Sequence, residues 1–372
     1  MSGDAIPISL VKKPPTEEIL TEERLKEILK SEKPIHYIGF EISGFIHLGT
    51  GLVCMSKVKD FQEAGIKTQI LLADWHAWLN KKFGGNLDKI KEWEKKYFKK
   101  ALEISLKIMG GNPEKVRFYL GSELYEKLGL EYWKLVSEIS LHTTVARILR
   151  STTILGRKFI KTLSFSQLLY VPMQVADIFA LNVNLAHGGI DQRKAHVIAI
   201  EVGEKIRKWK PVAIHHHLLM GIHLTDEQRR KLVEAKRTGN RQLFEDTIIE
   251  TKMSKSKPET CIFIHDSEEE IKRKMKKAIC PWGETEANPV WDIIENLIKR
   301  EVESFQIINE KTGKELTYEN FEDLKRAWIK KQIHPLDLKN WVADWLIRKL
   351  RPARKFFSKT KIQELVEDFK NV

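Results

Sequence analysis

Two short apolar runs joined by one helical stretch constrain the fold of this chain more than any other feature. Residues 34–41 and 67–73 have the length and apolar content of buried strands. Between them, a turn around Ser43 and Gly44 precedes a helix that we expect to begin near His47 and end near residue 64. A strand, a helix and a second strand in this order form a βαβ unit, whose strands are parallel. The segment therefore predicts a parallel sheet.

The remainder of the first two thirds of the chain continues this alternation. Residues 116–120 and 211–215 are strand-like, and residues 87–109, 123–150 and 165–181 have helical patterns. Strands that alternate with helices are typical of an α/β fold with a doubly wound parallel sheet.

The pattern changes towards the C-terminus. Residues 223–250 are heavily charged without strand alternation, and we expect one or two helices inserted there beside the sheet. From about residue 262 the pattern is mainly helical, and residues 16–32 also look helical. The expected parts are an N-terminal helical segment (1–32), the α/β domain (33–250), a loop and linker (251–270) and a C-terminal helical domain (271–372).

The net positive charge of the chain favours a negatively charged partner. Its 372 residues include 64 Lys and Arg against 51 Asp and Glu, a formal net charge of +13. Such an excess favours a polyanion, most commonly nucleic acid. The alternative is that Lys and Glu solvate helix faces, and this explains much of the charge because Glu is abundant too.

Cysteine usage and hydropathy indicate a cytoplasmic protein without a membrane span. The three cysteines, Cys54, Cys261 and Cys280, are too few and too widely spaced for a disulfide framework or a zinc ribbon. The first residues contain no continuous apolar segment of the kind that a secretory signal needs. No stretch approaches about 18 uninterrupted apolar residues, so we expect no membrane-spanning helix.

The first chemical signal is the segment 44–50, which follows a strand and opens a helix. The N-terminus of a helix offers free N–H groups and the positive end of its dipole, which suits phosphate. A glycine there lets a nucleotide approach the backbone, and His47 can donate a hydrogen bond to a phosphate oxygen. Taken alone, a histidine before a glycine is more often structural.

The second signal is Lys252-Met-Ser-Lys-Ser-Lys257, which lies about 200 residues later. Small polar residues between lysines make a cationic loop that can close over a polyphosphate and neutralise developing charge. Taken alone, such a loop is usually a solvated surface. The two signals together, in this order and context, form a specific pair.

The pair resembles the motifs of class I aminoacyl-tRNA synthetases, and further segments resemble the tyrosyl branch of the archaeal and eukaryotic type. The similarity runs from about residue 33 to 350. It is carried by Tyr37-Ile-Gly-Phe-Glu41, Leu72-Ala-Asp-Trp-His-Ala77, Tyr170-Val-Pro-Met-Gln-Val-Ala-Asp177, Gly189-Ile-Asp-Gln-Arg-Lys-Ala-His196 and His334-Pro-Leu-Asp-Leu-Lys-Asn340. The resemblance implies a Rossmann-like catalytic domain, a helical anticodon-binding domain, a homodimer, and ATP, L-tyrosine and tRNA(Tyr) as substrates.

The spacing of three polar residues supports a ligand pocket. Tyr170, Gln174 and Asp177 stand at i, i+4 and i+7, so a helix places them on one face. Buried Gln and Asp side chains need hydrogen-bond partners, which a substrate with an amine and a phenol would supply. The alternative is an ordinary helix with one buried tyrosine.

The resemblance assigns a role in tyrosine binding to eight residues. It implies that Tyr37 and Asp177 bind the phenol of the substrate, and that Tyr170, Gln174 and Gln192 hold its ammonium end. It places Glu41 at a further position of the tyrosine site. It also implies that Ala73 and His76 line the pocket.

The resemblance likewise assigns the phosphate and tRNA contacts. The catalytic residues would be His47, Gly49, Lys252 and Lys255, with Mg²⁺ assisting as part of the ATP substrate, no tightly bound cofactor and no protein metal site. Gly39, Thr50, Met253, Ser254 and Ser256 would complete the ATP site. Arg193 and Lys194 would face the acceptor end of the tRNA, and His334 and Asp337 would contact the anticodon.

Four features depart from this pattern or allow a plainer explanation. Thr50 replaces the second histidine of the first motif, so that position cannot carry charge. Residues 310–314 lack the aromatic side chain expected to stack on an anticodon base. His334 and Asp337 can equally mark a helix start, with Pro335 at its first position. The run His215-His-His217 cannot place all three side chains on one ion from a strand, so we expect it to be structural, with one of them near ATP.

Two other functions stay open at this point. A tryptophanyl-tRNA synthetase would have the same fold, but it gives no reason for Tyr37 beside Asp177. A non-catalytic tRNA-binding paralogue is favoured slightly by Thr50 and disfavoured by the intact lysine loop.

Overall fold

The computed structural model describes residues 8–31, 33–151, 163–207 and 209–370. The outer ends of the expected N- and C-terminal segments, 1–7, 32 and 371–372, lie outside the described residues. None of the described helices is both long enough and apolar enough to cross a membrane.

The described strands form one sheet of six and one hairpin. Their bounds are β1 Thr16–Leu20, β2 Ile35–Glu41, β3 Lys67–Ala73, β4 Val116–Leu120, β5 Leu185–Gly189, β6 Val212–His216, β7 Phe305–Ile308 and β8 Glu315–Tyr318. The order in the sheet is β1-β6-β5-β2-β3-β4, with β1 antiparallel and the other pairings parallel. The α/β class and the parallel sheet are thus confirmed.

Helices separate the strands and fill the C-terminal part of the chain. Their bounds are α1 Ile8–Lys12, α2 Glu22–Ser31, α3 Cys54–Glu63, α4 Asp74–Leu79, α5 Leu87–Trp93, α6 Lys99–Ile108, α7 Gly121–Leu128, α8 Leu130–Leu141, α9 Val145–Ser151, α10 Phe165–Leu168, α11 Tyr170–Ala180, α12 Arg193–Ile206, α13 Asp226–Thr238, α14 Arg241–Thr251, α15 Glu268–Lys277, α16 Pro289–Ile293, α17 Phe321–Ile329, α18 Pro335–Phe356 and α19 Lys359–Lys370. The charged segment 223–250 forms two helices, α13 and α14.

One expectation about local structure is wrong, and one mainly helical part contains an added hairpin. Residues 16–20 are the edge strand β1 and not the start of a helix, because they pair with β6 and follow two prolines, Pro14 and Pro15. The helix of this segment begins only at Glu22. The C-terminal part also contains the hairpin of β7 and β8, whose turn includes Gly313 at φ 67°.

The chain divides into two compact units. The described residues of 1–44, 54–217 and 365–372 form the first unit, and those of 45–53 and 218–364 form the second. The core of the first unit packs α8, α11 and α12 against the sheet through residues such as Leu135, Ile178 and Ile198. The domain limits expected from the sequence stay a prediction.

Candidate active site

The first unit contains a narrow cavity at the carboxyl ends of β2 and β3. Ligands of parallel α/β sheets bind at this edge. The cavity is lined by Tyr37, Gly39, Glu41, Leu71, Ala73, His76, Tyr170, Gln174, Asp177 and Gln192. The structure therefore brings together all eight residues that were assigned to tyrosine binding, and adds Gly39 and Leu71.

Strand alternation explains the contribution of the sheet. Tyr37, Gly39 and Glu41 stand two residues apart in β2, so their side chains or Cα atoms share one face. In the parallel register Gly39 lies beside Leu71, and Glu41 beside Ala73. A Cβ at Gly39 would lie 3.0 Å from the hydroxyl of Tyr37, so a larger residue would displace that phenol.

The helix α11 contributes Tyr170, Gln174 and Asp177 from one face, as their spacing predicts. Tyr170 and Asp177 are buried, with 8% and 1% exposed. The ring of Tyr170 packs edge-on against His76 of α4, with centroids 4.7 Å apart. The polar face of α11 is thus turned into the protein, where it needs partners.

Asp177 has one satisfied and one unsatisfied oxygen. Its Oδ1 accepts a hydrogen bond of 2.8 Å from the hydroxyl of Tyr132. Its Oδ2 lies 3.6 Å from Nε2 of His76, and neither of these two atoms has a hydrogen-bond partner among the described residues. Burial raises the pKa of Asp177 to about 7, against the effect of the hydrogen bond from Tyr132. Burial lowers the pKa of His76 to about 4, so that ring is neutral near neutral pH.

The other polar groups of the cavity are held by two separate sets of contacts. Gln174 donates from Nε2 to Oε1 of Gln192 at 3.1 Å, which leaves Oε1 of Gln174 unpartnered among the described residues. Glu41 accepts a 2.8 Å hydrogen bond from Nδ2 of Asn80 and lies 3.3 Å from Nζ of Lys82. The cavity thus presents one unpartnered acceptor on Asp177 and another on Gln174.

Sequence reasoning missed the residues that support this cavity. Tyr132 lies on α8, 45 residues before Asp177, and its ring stacks on Tyr125 with centroids 4.1 Å apart. No motif contains either tyrosine, so only the packing of α8 on α11 could reveal them. Leu71 was missed because one leucine in an apolar strand carries no chemical signal.

The second unit contains the first motif, and local hydrogen bonds fix its histidine. The backbone N–H of Gly49 donates to Nδ1 of His47 at 3.2 Å, and Oγ1 of Thr50 lies 3.4 Å from Nε2. Because Nδ1 accepts, the proton of the neutral ring is on Nε2. Burial and the charges of Lys255 and Lys252 lower the pKa of His47 to about 3. The ring is therefore a neutral hydrogen-bond donor.

The lysine loop of the second unit follows α14 directly. Met253 is buried and donates its backbone N–H to the carbonyl of Leu219 at 2.7 Å, which anchors the loop. The hydroxyls of Ser254 and Ser256 are 3.0 Å apart, and Lys252 and Lys255 are half-buried. Since both lysines act on the pKa of His47, the three side chains form one cationic region that suits phosphate.

The candidate tRNA residues have local partners. Arg193 donates from Nε to both carboxylate oxygens of Glu18, at 3.0 and 2.9 Å, and Lys194 is the next residue of α12. His334 caps α18 by accepting from the N–H of Leu336 at 3.2 Å. Asp337 is buried and accepts from the N–H of Glu310 at 3.2 Å.

The histidine run is held by other side chains, as its structural interpretation predicts. His215 shares hydrogen bonds with His196 at 3.0 Å and Glu18 at 2.8 Å, whereas His216 shares one with His187 at 2.8 Å. Strand alternation places His215 and His216 on opposite faces of the sheet.

Comparisons with known proteins agree on one family. A family model of class I tRNA synthetases for tryptophan and tyrosine matches residues 29–351. The tyrosine–tRNA ligase of Pyrococcus furiosus is 50% identical over 364 residues, which cover 95% of this chain and 94% of that protein. The crystal structure of the tyrosyl-tRNA synthetase of Pyrococcus horikoshii with L-tyrosine is 47% identical, has a TM-score of 0.89 and covers 98% of both chains.

A tryptophanyl-tRNA synthetase has the same fold at greater distance. The enzyme of Aeropyrum pernix is 15% identical and has a TM-score of 0.66, with 92% of this chain and 84% of that chain covered. At this identity the likeness shows the fold alone.

Proposed function

The chain belongs to the class I tRNA synthetases for tryptophan and tyrosine, and we propose on this premise that it is a tyrosine–tRNA ligase. It activates L-tyrosine with ATP, forming tyrosyl-adenylate and pyrophosphate, and then transfers the tyrosyl group to the 3′ end of tRNA(Tyr). The observation that carries the proposal is the cavity with its two unpartnered buried acceptors, Oδ2 of Asp177 and Oε1 of Gln174. A free tyrosine offers one donor for each, its phenol and its ammonium group.

The phenol of the substrate donates to Oδ2 of Asp177, beside the hydroxyl of Tyr37. An unpartnered buried carboxylate oxygen is costly, so a ligand that supplies a donor gains affinity over one that lacks it. Phenylalanine has no such donor. This asymmetry gives the site its preference for tyrosine.

The ammonium group is held by the polar groups of α11 and by Gln192, which lies in the turn between β5 and α12. Tyr170, Gln174 and Gln192 supply hydroxyl and amide oxygens, which are acceptors for an ammonium group. Glu41 adds a carboxylate that is already engaged by Asn80 and Lys82. Ala73 and His76 line the cavity next to these groups and limit its width.

The phosphate chemistry is assigned to the second unit and to the end of β2. The carboxylate of tyrosine attacks the α-phosphate of ATP, and pyrophosphate leaves. His47 donates from Nε2 to a phosphate oxygen, with Gly49 and Thr50 at the same helix start, while Lys252 and Lys255 neutralise the leaving pyrophosphate. Met253, Ser254 and Ser256 shape the loop that carries these lysines. Gly39 leaves space for the nucleotide at the end of β2.

Magnesium enters this scheme as part of the MgATP substrate. Among the described residues, no group of three His, Cys, Asp or Glu side chains is placed to hold a metal ion. Mg²⁺ is commonly bound by substrate phosphates and water with few protein ligands, so it would arrive with ATP and help to neutralise the phosphates.

In the second step, a hydroxyl of the terminal ribose of the tRNA attacks the adenylate. Arg193 and Lys194 are assigned to the acceptor end of the tRNA. Arg193 would then leave its ion pair with Glu18, or contact Glu18 and the tRNA together. His334 and Asp337 are assigned to the anticodon loop, although both also stabilise the start of α18.

We further propose that the enzyme is a cytoplasmic homodimer. Leu130, Leu141 and Val145, on α8 and α9, are 81%, 84% and 67% exposed. A second copy would cover these exposed apolar side chains and remove them from water. Sedimentation of the purified protein tests the dimer directly.

Amino-acid-dependent exchange of pyrophosphate with ATP tests the function. Each of the twenty amino acids is supplied in turn without tRNA, and we expect exchange with tyrosine. Exchange with tryptophan instead would identify the sister enzyme. Absence of exchange with every amino acid, with tRNA binding retained, would identify a non-catalytic paralogue.

A further inference from the structure

A bulge in the edge strand β1 turns one carboxylate towards α12. Glu18 of β1 stands opposite His215 of β6, whereas Thr16 stands opposite His216, so Glu17 is an extra residue in β1. Without the extra residue, Glu18 would share a face of the sheet with Thr16. Bulges of this kind redirect side chains at the edges of sheets. This one places Glu18 on the face that carries His215.

Glu18 holds the first turn of α12 at two points. The Nε–H of Arg193 donates to both oxygens of its carboxylate, at 3.0 and 2.9 Å. Its Oε2 also accepts from Nδ1 of His215 at 2.8 Å, and Nε2 of His215 shares a hydrogen bond of 3.0 Å with Nδ1 of His196. Arg193 and His196 are three residues apart, so they lie on one face of α12. Glu18 thus holds Arg193 directly and His196 through His215.

The chain before β1 is anchored by a fully buried lysine. Nζ of Lys57, on α3, donates to three backbone carbonyls of residues 10–13, at 3.0, 3.2 and 3.0 Å. It also pairs with Asp60 at 3.1 Å, and both side chains are 0% exposed. Hydrogen bonds from a charged donor are stronger than neutral ones. Glu18 therefore projects from a segment that is fixed to the first unit on both sides.

The guanidinium of Arg193 has donors left for a further ligand. Glu18 engages its Nε–H, and the guanidinium carries further N–H groups on Nη1 and Nη2. Among the described residues, Arg193 has no other hydrogen-bond or ion-pair partner. Its side chain is 20% exposed, so solvent and ligands can reach it. A planar group of donors that is held at one edge suits a pair of acceptor atoms at another.

We propose that Glu18 is a positioning residue for the transfer step, which fixes the guanidinium of Arg193 through Nε so that Nη1 and Nη2 contact the acceptor end of the tRNA. Arg193 then contacts Glu18 and the tRNA together. Glu18 offsets the charge of Arg193, so its value lies in orientation: a side chain that is already ordered loses less entropy on binding. The inference rests on the proposed function and on the assignment of Arg193 to the acceptor end.

Steady-state aminoacylation of a tRNA(Tyr) transcript tests this role. Glu18→Ala is expected to lower kcat/KM for tRNA by about 10- to 100-fold, as for the loss of a hydrogen bond between charged groups. Glu18→Gln keeps an acceptor oxygen for Nε of Arg193 and should lose less than about 10-fold. Glu17→Ala is the matched control and should keep the wild-type value, because Glu17 is exposed on the same strand and pairs with His217.

A double-mutant cycle with Arg193→Ala separates orientation from folding. Tyrosine-dependent pyrophosphate exchange, which needs no tRNA, should stay at the wild-type rate in both Glu18 variants. All rates are normalised to the active sites counted by the burst of adenylate formation. In the Arg193→Ala background, Glu18→Ala should cause no further loss. The proposal is overturned by an additive loss, by an equal loss of exchange, or by an unchanged kcat/KM for tRNA in either single variant.

Failure of the proposed function gives a different result, because it appears as absence of exchange with tyrosine in the wild type. The same cycle is then measured on equilibrium binding of the tRNA transcript. Coupled losses in binding for Glu18→Ala and Arg193→Ala support the positioning role, and independent losses overturn it.

Discussion

The tyrosine cavity of the first unit and the lysine loop of the second hold their polar groups in different ways. In the cavity, Tyr37, His76 and Asp177 are nearly fully buried on a strand and two helices, and specific atoms lack partners. In the loop, Lys252 and Lys255 are half-buried, and Met253 is the buried residue of the segment 252–257. A small neutral ring is recognised by desolvated hydrogen-bonding atoms, and a polyphosphate by charge. Changes in the cavity should therefore alter specificity, and changes in the loop should alter rate.

The largest expected effect is on the choice between tyrosine and phenylalanine. Asp177→Ala removes the acceptor for the phenol, so we expect the preference to disappear. Sites that hydrogen-bond a substrate hydroxyl prefer that substrate over the analogue without the hydroxyl by roughly 10⁴ to 10⁵ in kcat/KM, and tyrosyl enzymes are a known example. The measurement is kcat/KM for adenylate formation with both amino acids.

The control for this variant lies on the same helix. Gln174→Ala removes the acceptor assigned to the ammonium group, which both amino acids possess. We expect it to lower kcat/KM for tyrosine and phenylalanine alike and to leave the preference intact. A preference that survives Asp177→Ala would contradict the assignment of the phenol to this carboxylate.

The sequence predicts this cavity well where a spacing or a motif carries the information. Tyr170, Gln174 and Asp177 share a face because helix geometry places positions i, i+4 and i+7 together. Tyr132 is different, since its hydroxyl reaches Asp177 only through the packing of α8 on α11. Contacts between distant segments depend on tertiary structure, which a local pattern does not contain.

The second largest effect concerns the rate of adenylate formation. Lys255→Ala should slow the chemical step by about 10² to 10³, the usual loss when one group that stabilises transition-state charge is removed. ATP affinity should change far less, because the charge on the leaving pyrophosphate develops only during the reaction. Single-turnover kinetics over a range of ATP concentrations separate the two quantities.

Lys257→Ala is the matched control in the same loop. Lys257 is exposed, and its charge is not among those that act on His47. We expect this variant to retain the wild-type rate. If Lys255→Ala weakens ATP binding as much as it slows the reaction, its role is uniform binding and not stabilisation of the transition state.

The fold was predictable except where strand pairing overrides the local secondary-structure propensity of a segment. The sequence of β1, Thr-Glu-Glu-Ile-Leu, favours a helix, but its register with β6 holds it extended. The sequence of β5, Leu-Ala-His-Gly-Gly, has weak strand propensity and is a strand because β2 and β6 flank it on both sides. In both cases the decisive hydrogen bonds join segments far apart in the chain.

A smaller effect should follow from the protonation of Asp177, which makes the preference for tyrosine depend on pH. Its pKa of about 7 means that the carboxylate gains charge as pH rises through neutrality. The phenol binds the ionised form best, so the ratio of kcat/KM for tyrosine to that for phenylalanine should rise between about pH 6 and 8. His76, with its pKa of about 4, does not titrate in this range.

Tyr132→Phe should move this profile in a defined direction. The hydroxyl of Tyr132 stabilises the carboxylate, so its removal raises the pKa of Asp177 and shifts the rise in the ratio to higher pH. At pH 7 we expect the preference to fall by about tenfold, near the lower limit for a hydrogen bond to a charged group. A uniform loss of activity with an unshifted profile would show that Tyr132 acts only by packing.

The smallest effect tests whether charge is what matters in the second unit. The hydroxyl of Thr50 lies close to Nε2 of His47. Like that neutral ring, and unlike Lys252 and Lys255, it carries no charge and can act on a phosphate oxygen only through a hydrogen bond. A neutral hydrogen bond has a net value of about 0.5 to 1.5 kcal/mol, so Thr50→Ala should slow adenylate formation by only about 2- to 10-fold. Single-turnover kinetics measure this beside Lys255→Ala. If Thr50→Ala slows the reaction as much as Lys255→Ala does, the hydroxyl positions His47 for the reaction. Hydrogen bonds would then matter as much as charge in the second unit, and its contrast with the tyrosine cavity would fail.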